Sequence, residues 1–514
     1  MTSQRDWVIF VLCFLSWWTM PVNPQILDKL EHFQRVLETW PSEHPTRPAQ
    51  PPSYNPTHSF WINSSPDANP LAGEGSQDPL PSNADICIIG AGITGVGVAY
   101  HLIELMNNAS LSLEHPLSIV ILEARDFCSG ATGRNGGHLT PAAFLEFAKR
   151  HALFGAVEAK KSYEFEQHTA SLLVKIIEEN DWASDVDLVE GGHMSLLFTE
   201  KEEEDVNKDY EMARQAQLDL DGVEWVPKET VQEEYGAPYA GFREPGHNVW
   251  PLKVVTKLYQ HARAHVGQSA NLSLHTRTPV TAITQETVDN SSAYTVVTNR
   301  GSISCSRVVH ATNAYASHLL PFLAGPDGII PTRGQVMATR ASVGTDQIKT
   351  NGWGGNDGFE YWFPRPVKHD DEKPLVIIGG GREAVGPDYE LYVDSDSETH
   401  PAVGKALREF LPSVFEGKFD PDSEPEMEWT GIMGYTKMGD PFVGPVADLL
   451  AANPQRDLYK RQYIAAGYTG HGMPRAFGCA EVIAQMILAE LSDKEWKEPD
   501  WLPQRYLTWN RRLE

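Results

Sequence analysis

Two short apolar blocks without alternation bracket a helical pattern early in the chain. Asp85–Ile89, "DICII", and Ser118–Leu122, "SIVIL", each read as a strand buried on both faces. Between them, Ile93 to about Met106 carries the 3.6-residue period of a helix. Strand, helix and strand of these lengths predict a βαβ unit. Further on, helices are predicted over about 156–180 and 200–218. Strand patterns dominate from Leu272 to Val309 and recur in "IIPTRGQVMAT", "YWFPR" and "LVIIGGG". Helices return at Pro401–Val414 and from Met473 to about Leu491. Strands and helices do not alternate regularly after the first unit. The parallel unit is therefore expected to be interrupted by an antiparallel domain, with the chain returning to the first domain at its end.

The N-terminal stretch follows other rules. Trp7–Met20 is apolar, too short to span a bilayer comfortably, and suits the core of a signal peptide, although no small-residue cleavage site follows. An uncleaved anchor, a buried segment or a wrong start codon fits it too. Secretory entry is the expectation and a cytoplasmic protein the alternative. N-x-S sequons at Asn63, Asn108, Asn271 and Asn290 add weak support. Ile26, Leu30, Phe33, Leu37 and Trp40 form one apolar helical face, for packing on the protein body or for a membrane or partner contact. From Pro41 to Pro81 prolines are dense and no periodic pattern survives, which predicts an extended strap.

Composition narrows the function. The 514 residues carry a net charge of −27, which argues against a nucleic-acid partner. The length suggests about three domains or two interleaved ones. Cys13, Cys87, Cys128, Cys305 and Cys479 are scattered, so neither a disulfide scaffold nor a thiolate metal site is expected, and no metal is assigned. Cys87 is read as a small buried hydrophobe.

Three glycine-rich stretches carry the chemistry. Gly90, Gly92 and Gly95, with Ile93 and Thr94, form G-x-G-x-x-G between a strand and a helix. Such a turn lets backbone N–H groups and a helix N-terminus meet a pyrophosphate. Glu123 ends the next strand and can accept hydrogen bonds from a ribose, which disfavours NADP but does not separate NAD from FAD. "EARDFCSGATGRNGGHL" then supplies donors at Ser129, Thr132, Arg134 and Asn135, as a chain running along a bound flavin would need. "YIAAGYTGHGMPRAFG" repeats strand, glycine turn and helix, placing Gly470, His471, Gly472 and Met473 where a helix N-terminus would stabilise negative charge on a reduced flavin.

These stretches resemble the FAD-dependent oxidoreductases of the D-amino-acid oxidase, glycine oxidase and sarcosine oxidase superfamily. "SGATGRNGGHL" is closest to the gamma-glutamylputrescine oxidase-like branch. The resemblance runs from about Ser82 to the last helix. It implies an α/β fold: a Rossmann-type FAD-binding domain interleaved with a substrate-binding domain of antiparallel β-sheet plus helices (α+β). The expected segments are 1–22 signal or anchor; 23–81 helix and strap; 82–150, 246–327 and 426–514 FAD domain; 151–245 and 328–425 substrate domain. It implies hydride transfer from an amine or amino-acid-like substrate to flavin N5, with O2 as acceptor giving imine and H2O2. A dehydrogenase of a 2-hydroxy acid or C–C bond, or a non-catalytic flavin-binding protein, are the alternatives.

Residue by residue, the resemblance places Ala124 and Arg125 beside the adenosine and Val280 at the adenine. Gly136, Gly137, His138 and Leu139 join Ser129–Asn135 in the flavin-lining loop. Where relatives carry a carboxylate-clamping arginine, this chain has Met433, whose thioether cannot make a bidentate pair. Arg365 or Arg382 would then supply the cation, or either would form only a surface ion pair. His471 and Lys437 are candidates for favouring reaction with oxygen; each reads equally as a turn cap or a surface charge. Tyr361 and Trp362 would wall the substrate pocket or pack in the core. No cysteine stands where sarcosine oxidases attach the flavin, so FAD is expected to be noncovalent.

Overall fold

The computed structural model describes residues 47–109, 115–288, 291–369, 371–451, 453–511 and 513. The apolar segment Trp7–Met20 and the amphipathic stretch Gln25–Trp40 lie outside them. Among the described residues no helix is long and apolar enough to cross a membrane.

Two eight-stranded sheets organise the chain. The first is centred on Asn83–Ile89, which pairs in parallel with Gly301–His310 on one side and Leu117–Leu122 on the other. Ala270–His275 and Gln462–Ala466 extend it in parallel, and Phe442–Pro445 closes one edge antiparallel. Val280–Val288 and Ser291–Thr298 form an antiparallel extension on Gly301–His310. The central strands are buried on both faces, as uninterrupted apolar runs require. Helix Ile93–Ala109 packs against the last helix, Met473–Leu491, and against Pro251–Ala264.

The second sheet runs in the order Met427–Tyr435, Ile330–Arg340, Leu375–Gly380, Glu360–Pro364, Gly352–Gly355, His193–Leu197, Ala240–Glu244 and Glu224–Val226. It is antiparallel except where Gly352–Gly355 meets His193–Leu197. Met427–Tyr435 pairs along its length with Ile330–Arg340. The expected boundary at residue 425 therefore falls before a strand that belongs to the second sheet. The helix expected from residue 156 is the longer part of Phe147–Glu179, which breaks at Gly155, where φ is 79°.

Two further expectations change. Cys87 is not a free hydrophobe: it forms a disulfide with Cys305, Cα atoms 6.0 Å apart. The bridge crosses between neighbouring parallel strands separated by 218 residues of sequence, so nothing local announces it. The proline-rich strap is not confined to the surface. It contains one helical turn, Phe60–Asn63, and its Trp61 is fully buried against Trp250 and Phe363.

Candidate functional site

A cavity of about 1170 Å³ runs between the two sheets. At one end stands the turn after the first strand. Gly90 has φ of +108°, and a Cβ there would lie 2.6 Å from the Ala311 carbonyl oxygen. A Cβ on Gly95 would lie 1.9 Å from the Gly90 oxygen, so only glycine lets the helix start close upon the turn. Gly90, Gly92, Ile93 and Thr94 line the cavity; Gly95 packs behind them. Helix Ile93–Ala109 begins at this wall, and a helix N-terminus leaves backbone N–H groups to meet an anion.

Glu123 is held rigidly at the cavity wall. Its carboxylate accepts from Ala91 N at 2.9 Å and Arg125 N at 3.0 Å. The segment Arg277–Thr278 runs beside it through bonds to the Arg125 and Glu123 carbonyls, which brings Val280 to the same end of the cavity. Two acceptor lone pairs on Glu123 remain for a ribose.

The loop after Glu123 forms the cavity floor, but most of its donors are spent on the protein. Arg125 bonds Asp396 at 2.9 Å and the Ser129 carbonyl. Arg134 is buried, and its Nε and Nη1 donate to the carbonyls of Ser129, Thr57 and Thr430; burial lowers its pKa to about 10. These two arginines knit the loop, the strap and the second sheet together: Arg134, expected as a donor at phosphate or ring, and Arg125, expected beside the adenosine, both line the cavity but spend these donors on the protein. Thr132 Oγ1 accepts from Ile93 N, and Asn135 Oδ1 from Gly137 N. Ser129 and Leu139 lie behind the wall rather than on it. The strap completes the floor: Ser59 Oγ donates to the Gly133 carbonyl, and Trp61 Nε1 to that of Asn135 at 2.6 Å. Pro51 and Pro52 also line the cavity.

Gly470, His471, Gly472 and Met473 face the opposite wall, at the start of Met473–Leu491. His471 Nε2 lies 3.0 Å from Glu166, and Arg475 donates to the same carboxylate at 2.6 Å. Burial opposes ionisation of Glu166, but His471, Arg475 and the Ala142 N–H outweigh it and hold its pKa to about 2.

The second sheet roofs the cavity. Tyr361 lines it with its ring edge-on to His138, centroids 5.4 Å apart; burial raises its pKa to about 12. Trp362, its neighbour, points to the other face of the sheet and stacks with Trp353, so it is core and not pocket wall. Met433 lines the cavity. Of the two candidate cations, Arg382 stands at the wall, donating to Tyr435 Oη at 2.8 Å. Arg365 does not reach it: it bonds Asp187 at 2.6 Å and lies 4.6 Å over the Trp250 ring, where burial lowers its pKa. Lys437 sits at the rim, half-exposed and 3.5 Å from Asp327.

The sequence reading missed His193, Ser195 and Glu244, which also line the cavity. Strand alternation puts His193 and Ser195 on one face, but no motif marks that face as the inner one. His193 is buried, as are both ring nitrogens of the half-buried His138; burial lowers the His138 pKa to about 4 and that of His193 well below the ordinary value.

The residues present fit a long, redox-active dinucleotide: a glycine cradle that a Cβ would fill, a fixed acid, and a second helix N-terminus across the same cavity. Comparisons with known proteins agree. The family model described as DAO, FAD dependent oxidoreductase, matches residues 85–486. The chain is 24% identical to the probable oxidoreductase OrdL of Rhizobium meliloti (strain 1021), over 81% of this chain and 85% of that protein. It is 24% identical to the glycine oxidase of Bacillus licheniformis, over 80% and 95%. The gamma-glutamylputrescine oxidoreductase of Escherichia coli (strain K12) matches at 24%, over 78% and 83%. Among solved structures, L-proline dehydrogenase from P. horikoshii superimposes with a TM-score of 0.60 at 18% identity, covering 84% of this chain and 98% of that one.

Proposed function

Starting from the fact that this chain belongs to the DAO family of FAD-dependent oxidoreductases, we propose that it oxidises the C–N bond of an amine or amino-acid-like substrate, with O2 as acceptor. One observation carries this reading. A single cavity joins the glycine cradle and Glu123 to a polar roof made of His138, His193, Tyr361 and Arg382. Cofactor and substrate space are thus continuous, and the substrate end holds groups that suit nitrogen and carboxylate ligands.

FAD bound there supplies the two-electron acceptor for a hydride leaving the carbon beside the substrate nitrogen. Gly90–Gly95 and the helix start would hold its pyrophosphate, Glu123 its ribose, the 130–138 loop its length, and Gly470–Met473 its ring end. The remaining work falls to the chain's own side chains. His138, neutral at physiological pH, accepts a hydrogen bond from the reacting amine without repelling it. The buried position of its ring nitrogens excludes water, so the amine sheds its proton before reaction. Arg382 offers a charged partner for a substrate carboxylate, which Met433 cannot. Loss of hydride leaves an iminium, and its hydrolysis yields a carbonyl compound and the free amine or ammonia. The two electrons and two protons removed from the substrate reduce O2 to H2O2.

The Cys87–Cys305 bridge supports a secretory location, because such bridges persist in oxidising compartments. Endoglycosidase treatment of the protein from its native host tests that: a mobility shift is expected, and none would return the chain to the reducing side.

The first test of activity is anaerobic titration of the purified yellow protein with primary amines, secondary amines and amino acids. Bleaching of the flavin bands by one class, and recovery in air with peroxide, is the expected result. Bleaching by hydroxy acids alone refutes C–N oxidation; recovery only with another electron acceptor refutes the choice of O2.

A further inference from the structure

Beside Tyr361 one polar recess of the same cavity is lined by His138, Thr140, His193, Ser195 and Glu244, with the His138 ring edge-on to those of both Tyr361 and His193. His193 and Glu244 stand directly opposite each other on paired antiparallel strands, so their side chains share a face. Space for the His193 ring comes from Gly354 on the next strand, where a Cβ would lie 3.1 Å from its Nε2. His193 is 8% exposed and Glu244 5%. Nδ1 of His193 and Oε2 of Glu244 have no hydrogen-bond partner among the described residues. The adjacent cation on the strand, Arg243, pairs with Met194 on the other face and bonds Tyr235 and Glu234 there.

Unpartnered buried polar groups are costly and call for a ligand that satisfies them. We propose that this recess is a subsite for a second, unreacting ammonium group of a diamine-type substrate, and that Glu244 is its specificity-determining anchor. The inference deepens the amine-oxidation reading and rests on it for the chemistry at the substrate's other end. An ammonium donates three hydrogen bonds; a carboxylate, a neutral imidazole and a hydroxyl are the acceptors the recess provides. A carboxylate ligand would meet a buried acid, and an alkyl group would leave both orphans unpaired.

The charge state follows the same logic. Burial, with some help from Glu166 and against the Ala143 N–H, raises the Glu244 pKa to about 8. His193 opposite it and His138 beside His193 are neutral, so they supply no countercharge. At neutral pH the acid is therefore mainly protonated until a cation arrives. Binding of the ammonium ionises it, and the proton leaves to buffer.

Calorimetric titration of the anaerobic enzyme, its FAD reduced beforehand with dithionite so that the amines cannot react, tests this, with diaminobutane and butylamine as probes in two buffers of different ionisation enthalpy. The expected result is diaminobutane binding about 10- to 100-fold tighter, with proton release near neutral pH. Glu244→Gln, nearly isosteric with the protonated acid, abolishes both the preference and the proton release while the flavin spectrum is unchanged. No preference in the wild type, or a preference that survives Glu244→Gln, overturns the proposal. Should Glu244→Gln fail to fold, His193→Asn decides: reduced preference supports the subsite and an unchanged one rejects it. A Glu244-dependent preference without flavin bleaching by any amine would keep the subsite and sink C–N oxidation.

Discussion

Glu166→Gln isolates the charge that orders the last helix start. The carboxylate is fully buried and lies 2.6 Å from Arg475 Nε and 3.0 Å from His471 Nε2. Its pKa falls from an ordinary 4.5 to about 2, because the interactions with His471, Arg475 and the Ala142 N–H outweigh burial. At 1.36 kcal/mol per pH unit, that difference is about 3 kcal/mol of folded-state stability. A depressed carboxylate contributes fully above its unfolded pKa and loses its contribution as pH falls through the folded one. The stability is therefore complete at neutral pH and declines between about 4.5 and 2. Glu166→Gln should cost about 3 kcal/mol at neutral pH, in the range for breaking one side of a buried pair. The gap to wild type should narrow as the wild-type carboxyl protonates. Denaturant unfolding of the FAD-free protein at a series of pH values, followed by tryptophan fluorescence, measures both numbers. A difference between the two proteins that stays constant across the acid range would refute the reasoning, because it would mean the lost interaction is not one of charge.

Other substitutions separate the parts of the site. Gly95→Ala forces a methyl against the Gly90 oxygen, so the protein should lose at least about tenfold in FAD affinity, read from the flavin-to-protein absorbance ratio after gel filtration. Arg382→Met should raise KM for carboxylate-bearing substrates by roughly tenfold or more while sparing simple amines. Arg365→Met should leave KM unchanged and lower only the unfolding midpoint; a KM effect there would return Arg365 to the pocket. Trp61→Ala should destabilise by about 3–5 kcal/mol, and should weaken FAD retention because Trp61 Nε1 bonds the Asn135 carbonyl. Unaltered FAD binding would show that the strap is not part of the site.

What could be read from the sequence was local in the chain. The βαβ unit, Glu123 and both glycine turns depend on neighbours within a few residues, so spacing alone located them. Contacts made across the fold were hidden. Cys87 and Cys305 meet only because their strands lie side by side in the sheet. Trp61 looked like strap because its partners, Trp250 and Phe363, lie far along the chain. The two arginines show the limit most clearly. Each follows a strand: Arg365 after Glu360–Pro364, Arg382 shortly after Leu375–Gly380. Those strands are antiparallel, with Tyr361 opposite Gly379 and Pro364 opposite Val376. The two arginines therefore leave the sheet at opposite ends, and only one end opens on the cavity. Arg365 N bonds the Leu375 carbonyl, at the end covered by the strap's aromatic rings; Arg382 emerges beside Tyr435. The same rule hid Glu244. It sits one residue from Arg243, and strand alternation guarantees that one of the two faces the cavity. Which one depends on how the sheet is laid over the dinucleotide domain, a fact about packing that no local pattern contains. The acid lines the cavity and the cation bonds Glu234 on the other face, which is the arrangement the proposed ammonium subsite requires.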